Sequence, residues 1–151
     1  MLAEEILRAL FGAFFGAVGF AMLVHVPKRS WFVSGLIAAF SYLVYWVFLR
    51  VGLSDPTSVF LGSFLGSIAG HLCARKMKII GTVFLMSAVV PVVPGLGLYR
   101  MMAFFGQGRI SDGADMGTHA MITVAMIALG LGAGALIDRI LQSRSLKDHH
   151  I

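Results

Sequence analysis

The chain alternates long apolar runs with short polar links, and this pattern predicts a bundle of membrane-spanning helices. A helix needs roughly 20 residues to cross about 30 Å of hydrocarbon, and five runs are long enough. They cover residues 6–26, 31–49, 57–74, 79–99 and 117–137. We therefore expect an all-α polytopic membrane protein of about five spans. It should form one membrane domain over residues 1–151, with residues 138–151 as its tail.

The fourth run contains a segment that should not form a continuous helix, PVVPGLGLYRMM at residues 91–102. Pro91 and Pro94 have no N–H to donate to the carbonyls four residues earlier. Gly95 adopts backbone angles that other residues avoid, and Pro94 suits the first position of a new helix. Counted from the start of the run, the prolines lie near the middle of the membrane. We predict that the fourth helix is broken at Pro91, Pro94 and Gly95.

Such a break can hold a polar substrate. The start of a half-helix attracts a carboxylate, and freed carbonyls attract an ammonium group or a cation. An amino acid carries both groups, whereas a dicarboxylate would need a further positive charge. The candidate substrate-binding residues are Pro91, Pro94, Gly95, Tyr99 and Arg100. The alternative is a structural proline kink whose carbonyls are covered by neighbouring hydroxyl groups.

Glycines four residues apart form stripes in several runs. Residues at this spacing share a helix face, so Gly62, Gly66 and Gly70 let another backbone approach the third helix closely. Packing within the chain and assembly with another subunit are both open for this stripe. For two shorter stripes we expect packing within the chain: Gly12 with Gly16, and Gly130 with Gly134.

The second run and the longest link carry two further expectations. The run over residues 31–49 is dense in bulky aromatic side chains and shows no obvious stripe of small residues. We expect it at the lipid-facing periphery of the bundle. The longest link is RMMAFFGQGRISDGAD at residues 100–115, and we expect it to be a loop able to move.

Composition supports the membrane assignment, and the positions of the charged residues predict the orientation of the chain. The 151 residues have a mean hydropathy of +0.89, with 58% hydrophobic and 13% charged residues. The net charge of +5 is divided among short clusters between apolar runs, so nucleic-acid binding is not predicted. Eight Lys and Arg residues fall on the side of the first link, the third link and the tail, and four on the other. The N-terminus is therefore expected outside and the C-terminus in the cytoplasm.

Few residues within the runs offer acid–base chemistry. His71 and His119 are possible proton-relay residues, although each lies near an interface where a side chain can simply reach water. Asp112 and Asp115 are solvated loop charges or part of an outward vestibule. Cys73 is the only cysteine, which excludes an internal disulfide and a multi-cysteine metal site. No catalytic arrangement or phosphate loop is present, so neither an enzyme nor a cofactor or metal is predicted.

Three blocks of the chain resemble a known family in their order and spacing. They are GAVGFAMLVHVPKRSW at residues 16–31, SVFLGSFLGSIAGHLCAR at residues 58–75, and VPVVPGLGLYRMM at residues 90–102. The family is the threonine/serine exporters of the ThrE type, and the likeness is greatest to its short YjjB-like membrane subunit. The third block coincides with the predicted helix break.

The resemblance implies export of small metabolites across the bacterial inner membrane. The substrates would be threonine and serine, or a dicarboxylate such as succinate. A larger membrane subunit of the same family would be the partner, giving an oligomer within membrane lipid. The alternative is a non-transporting membrane scaffold that stabilises its partner through the glycine stripe, and a channel is a third possibility.

Overall fold

The computed structural model of the chain describes residues 2–147, and all regular structure in that range is helical. The helices are α1 (Leu2–Leu23), a short 3-10 helix (Lys28–Ser30), α2 (Trp31–Arg50), α3 (Asp55–Met77), α4 (Gly81–Val89), α5 (Gly95–Gly106) and α6 (Ile110–Lys147). The predicted all-α fold is confirmed. Helix α6 continues through residue 138, so the predicted tail begins as part of this helix, and its last residues, 148–151, lie outside the description.

Within residues 2–147, four helices are long and apolar enough to cross a membrane. These candidate spans are Glu4–Leu23, Lys28–Arg50, Asp55–Met77 and Ile110–Leu141. Helices α4 and α5 contain 9 and 12 residues, so neither is long enough alone. The fourth apolar run therefore folds as two short helices separated by residues 90–94, and the predicted break is present.

Helices α3 and α6 lie side by side in the same direction and form the central seam of the bundle. A Cβ atom on Gly130 would lie 2.7 Å from the carbonyl oxygen of Phe60, and one on Gly134 would lie 2.5 Å from Ser67 Oγ. Ser67 Oγ also donates a hydrogen bond to the carbonyl of Leu131 at 3.2 Å. Glycine is needed at both positions of α6 because a side chain would collide with α3.

The second run exposes large apolar side chains as predicted, but the expectation that it has no stripe of small residues is wrong. Helix α2 packs against α1, α3 and α4 and buries a stripe of small side chains that includes Ser34, Ala38 and Ser41. Ser41 Oγ donates a hydrogen bond to the carbonyl of Gly62 at 3.0 Å. Bulky residues such as Phe32 remain exposed on another face. The two faces differ in side-chain size, which the abundance of aromatic residues concealed.

The glycine stripe of α3 faces α2 and α4 of the same chain. A Cβ atom on Gly62 would lie 3.0 Å from the carbonyl oxygen of Ser41, and one on Gly66 would lie 2.9 Å from Ser41 Oγ. At Gly70 it would lie 3.3 Å from Phe84 Cβ. Assembly through this stripe stays a prediction, and these contacts favour packing within the chain.

The stripe of α1 behaves in the opposite way. A Cβ atom on Gly12 or Gly16 would meet no neighbouring atom within 4 Å among the described residues. The expectation that these two glycines pack within the chain is therefore wrong. They leave an open face on α1, beside the row of exposed side chains that contains Phe11 and Phe15.

The expected mobile loop after the fourth run is largely helical. Helix α5 continues to Gly106 and α6 begins at Ile110, so the turn contains only residues 107–109. Gly108 has a φ of 74°, a left-handed conformation that glycine adopts without steric cost. The polar residues that suggested a loop instead form the turn and the first turns of α6.

Helix α5 runs back along the beginning of α6. Two glycines of α6 make room for side chains of α5. A Cβ atom on Gly113 would lie 2.7 Å from the ring of Phe105, and one on Gly117 would lie 2.8 Å from Met101 Sδ. The later residue of α6 pairs with the earlier residue of α5, so the two helices are antiparallel. His119 is level with the start of α3, because its side chain lies beside that of Asp55. Nine residues of α6 come before His119. At 1.5 Å per residue, the α5–α6 hairpin extends about 13 Å beyond α3.

An aspartate beside a basic side chain marks each end of the α3–α6 seam. Arg75 pairs with Asp138 at one end, and His119 Nε2 lies 3.6 Å from Asp55 Oδ2 at the other. We name these the Arg75 end and the Asp55 end. The turn between α1 and α2 lies at the Arg75 end, where Arg29 donates a hydrogen bond to the carbonyl of Met77 at 3.1 Å.

Candidate functional site

A cavity of about 710 Å³ lies at the Asp55 end, beside the break between α4 and α5. Helices α2, α3, α5 and α6 line it together with the break. Its ionisable lining residues are Tyr42, Tyr45, Asp55, Arg100, Asp115 and His119. Four of the six α-helices described for residues 2–147 therefore meet at one space that holds several ionisable side chains.

The break shapes one wall of this cavity. After α4 ends at Val89, the N–H groups of Val92 and Val93 both donate to the Val89 carbonyl, at 2.9 and 3.1 Å. The helical pattern starts again where the N–H of Leu98 donates to the carbonyl of Pro94 at 3.0 Å. Two half-helices thus meet at the cavity, as the proline and glycine positions predict.

The structure divides the five predicted substrate-binding residues into two groups. Pro91, Pro94 and Arg100 line the cavity. Gly95 and Tyr99 are not among its lining residues, and the Tyr99 side chain is exposed. Gly95 is the first residue of α5 and lies next to the lining residue Pro94. Contact of any of the five with a substrate stays a prediction.

The cavity lies nearer one end of the bundle than the predicted midplane position. On its lining, the first two turns of α3 contribute Asp55 and Val59. Ala88, one residue before the end of α4, already packs at the middle of α3, where a Cβ atom on Gly66 would lie 3.2 Å from its Cβ. By Pro91 the chain has therefore passed the centre of α3. The break itself lies a little past the centre of α3, close to the depth counted from the start of the apolar run.

A cluster centred on Asp55 was missed by the sequence analysis. The Tyr45 hydroxyl donates a hydrogen bond to Asp55 Oδ1 at 2.7 Å, while His119 Nε2 lies 3.6 Å from Oδ2. Asp55 looked like an ordinary link charge. One signal was available, since Asp55 directly precedes Pro56 and Pro suits the first turn of a helix. This places the carboxylate at the start of α3 and not in a free loop.

The two histidines proposed as proton-relay residues lie far apart. His119 lines the cavity, whereas His71 lies 16 positions after Asp55 on α3, about 24 Å along the helix axis. His71 Nδ1 is 2.9 Å from the carbonyl oxygen of Ser67 within its own helix. The structure therefore associates only His119 with the site, and a relay role for either residue stays a prediction.

The two aspartates of the expected loop also separate. Asp115 lines the cavity, consistent with the vestibule interpretation, whereas Asp112 forms an ion pair of 2.7 Å with Arg109 outside the lining. Among the residues that the structure describes, no three His, Cys, Asp or Glu side chains are placed to hold a metal ion. Cys73 is a half-buried free thiol near the hydrophobic core.

The lining of the cavity carries side-chain charge of both signs. Asp55 and Asp115 supply negative charge. Arg100 supplies positive charge, and so does the start of α5, where the helix dipole directs partial positive charge. A small molecule that carries both signs of charge matches this lining best, and the proline-broken backbone offers further hydrogen-bonding groups.

Comparison with known proteins adds one match. Residues 9–137 fit a family model described as Threonine/Serine exporter, ThrE. The matched segment contains the whole cavity and both halves of the broken span. No solved structure matches the chain.

Proposed function

The chain belongs to the threonine/serine exporter family, and we propose that it exports small metabolites through the cavity at the helix break. Family membership and four long apolar helices establish a multi-pass membrane protein of transporter type. The observation that carries the proposal is the coincidence of the break with charged residues of both signs in one cavity. Broken helices that expose backbone groups to a polar space are a recurring way to build substrate sites in membranes.

Threonine and serine are the proposed substrates, in agreement with the description of the family. A dicarboxylate such as succinate is the second candidate. In either case Arg100 and the start of α5 would receive a carboxylate group of the substrate. Pro91 and Pro94 would act indirectly, by keeping the backbone of the break out of a continuous helix.

We also propose that the chain works with a larger membrane subunit. The open stripe of α1 supports this, because Gly12 and Gly16 leave room for a helix from another chain to approach closely. The same stripe would serve a non-transporting scaffold, for which the cavity would have no function. Transport measured with and without the larger subunit separates the two roles.

The proposed location is the bacterial inner membrane, with the Asp55 end outside and the Arg75 end in the cytoplasm. The Lys and Arg distribution supports this orientation. In a Cys73→Ser background, a membrane-impermeant maleimide added to intact cells should label Gln107→Cys but not Lys78→Cys. The reverse labelling pattern would invert the proposed orientation.

The function is tested by efflux of labelled threonine, serine and succinate from vesicles that contain the chain, with and without the larger subunit. Replacing Pro94 and Gly95 together with Ala should allow α4 and α5 to join into one helix. Efflux should then fall by about tenfold or more, the loss expected when one or two hydrogen bonds to a charged substrate are removed. The double variant should remain inserted, because Ala restores a backbone hydrogen bond.

Gly106→Ala is the matched control for this variant. Gly106 lies at the other end of α5, and a Cβ atom there would meet no described atom within 4 Å. Its efflux should equal that of the wild type. Normal efflux by a correctly inserted double variant would show that the break is only a structural kink. Absence of efflux from the wild type, with the larger subunit present, would leave the scaffold role instead.

A further inference from the structure

The cavity holds more negative than positive side-chain charge. Asp55 and Asp115 line it together with Arg100, so the net charge of the lining is −1 when His119 is neutral, one positive charge against two negative ones. A dicarboxylate with two negative charges would meet net repulsion there. An amino acid, which is neutral overall and carries an ammonium group, would not. The lining therefore discriminates between the two substrate candidates.

Asp55 is the acid best placed to meet a positive group. An ionised carboxylate has about four acceptor positions on its two oxygens. Tyr45 uses one on Oδ1, and His119 at 3.6 Å is beyond ordinary hydrogen-bond distance from Oδ2. The Asp55 side chain is 35% exposed, and it lines the cavity, so Oδ2 can accept hydrogen bonds from a ligand.

The position of this carboxylate is fixed by packing. Tyr45 is half-buried and lies where α2 approaches α3 closely, since a Cβ atom on Gly62 would be 3.1 Å from Tyr45 Cβ. Its hydroxyl then holds Asp55 Oδ1 at 2.7 Å. Preorganised acceptors bind a charged group more strongly than mobile ones, because little side-chain freedom is lost on binding.

We propose that Asp55 binds the ammonium group of the exported substrate and thereby selects amino acids over dicarboxylates. This inference rests on the proposed function of the cavity as the export site. Arg100 and the start of α5 receive the carboxylate of the same molecule. Tyr45 is a positioning residue, since it acts by orienting Asp55.

The test measures efflux of threonine and succinate from vesicles that contain the wild type or Asp55→Asn, with the larger subunit present. Asn keeps the shape of the side chain and removes its charge. Threonine efflux should fall about 10- to 100-fold, as expected for the loss of a hydrogen bond between charged groups. Succinate efflux should stay equal or rise. Asp112→Asn removes a carboxylate outside the cavity lining, and it should leave both rates unchanged.

A second measurement uses the wild type alone, so it does not depend on how a variant folds. Unlabelled 3-hydroxybutyrate, which is threonine without its ammonium group, should compete with labelled threonine far more weakly than unlabelled threonine does.

Tyr45→Phe tests the positioning role of Tyr45. It keeps the Asp55 carboxylate but removes the hydroxyl that orients it, so it should raise the KM for threonine several-fold with a smaller change in kcat.

The results distinguish failure of this inference from failure of the proposed function. A wild type that exports neither substrate refutes the exporter role, and the inference falls with it. A wild type that exports threonine refutes only the inference if 3-hydroxybutyrate competes equally well. An inserted Asp55→Asn variant that keeps the preference for threonine does the same.

Discussion

Each end of the α3–α6 seam holds an aspartate beside a basic side chain, but the two ends differ in how they are packed. At the Arg75 end, Arg75 pairs with the Asp138 carboxylate and also donates to the Asp138 carbonyl at 3.1 Å. The Asp138 side chain is only 8% exposed. At the Asp55 end, the side chains of Asp55 and His119 are 35% and 58% exposed and face a cavity.

The difference follows from where α4 ends. Toward the Arg75 end, α4 fills the space between α2 and α3, with Phe84 and Ala88 completely buried. Toward the Asp55 end, α4 has already stopped at Val89 and the proline-containing turn leaves space unfilled. The break therefore leaves a cavity at the Asp55 end, whereas the space at the Arg75 end is filled by α4. We expect the Arg75 end to carry stability and the Asp55 end to carry substrate selection.

The largest predicted effect concerns the buried ion pair. Arg75→Met would remove a charged partner of the buried Asp138 carboxylate. Breaking a buried ion pair costs about 3–5 kcal/mol, and we expect the lower limit because the Arg75 side chain is 38% exposed. The measurement is the free energy of unfolding in mixed micelles of detergent and denaturant.

Arg29→Met is the control for this prediction. Arg29 lies at the same end of the bundle but donates only to a backbone carbonyl, from an exposed position. Its loss should cost less than about 1 kcal/mol. Equal losses from both variants would show that the ion pair does not stabilise the Arg75 end.

The second prediction concerns the close contact along the seam between the two ends. Gly130→Ala would place a Cβ atom 2.7 Å from the backbone oxygen of Phe60, and backbone cannot move aside as a flexible side chain can. Overpacking of this kind costs about 1–3 kcal/mol. Gly132→Ala is the matched control, because a Cβ atom there would meet no described atom within 4 Å.

The control should be neutral or stabilising by up to about 1 kcal/mol, since Ala favours the helix more than Gly does. Both variants are compared by the same unfolding measurement. If Gly130→Ala were as stable as Gly132→Ala, the close approach of α3 and α6 would not be required.

Much of the fold follows from local signals in the sequence. Hydropathy identifies the apolar runs because each span must be long enough to cross the membrane alone. The break was predictable because proline removes a backbone donor whatever surrounds it. Pro91 and Pro94 mark their own position, so no knowledge of neighbouring helices was needed.

The cavity lining was less predictable because it depends on which helices meet. Tyr45 and Asp55 are ten residues apart and come together only because α2 and α3 are antiparallel neighbours. His119 belongs to the last helix, 64 positions further along the chain than Asp55. The buried stripe of α2 was missed for a related reason. Aromatic residues dominate its composition, while small residues such as Ser41 decide its contacts.

The smallest predicted effect concerns the exposed ion pair of Arg109 and Asp112, which lies at the Asp55 end. Arg109 Nε and Asp112 Oδ2 are 2.7 Å apart, a shorter separation than that of His119 and Asp55, and their side chains are 55% and 43% exposed. Exposed pairs contribute only about 0.2–1 kcal/mol because water screens them and two side chains must be ordered.

Asp112 gains a little more from its place in the first turn of α6, where the helix dipole favours negative charge. Asp112→Asn should therefore lower the free energy of unfolding by less than about 1 kcal/mol, and high salt should remove most of the difference. The measurement is unfolding of both proteins at low and high ionic strength. A salt-independent loss as large as that of Arg75→Met would contradict the comparison, because burial would then not separate the stabilising end of the seam from the end that holds the cavity.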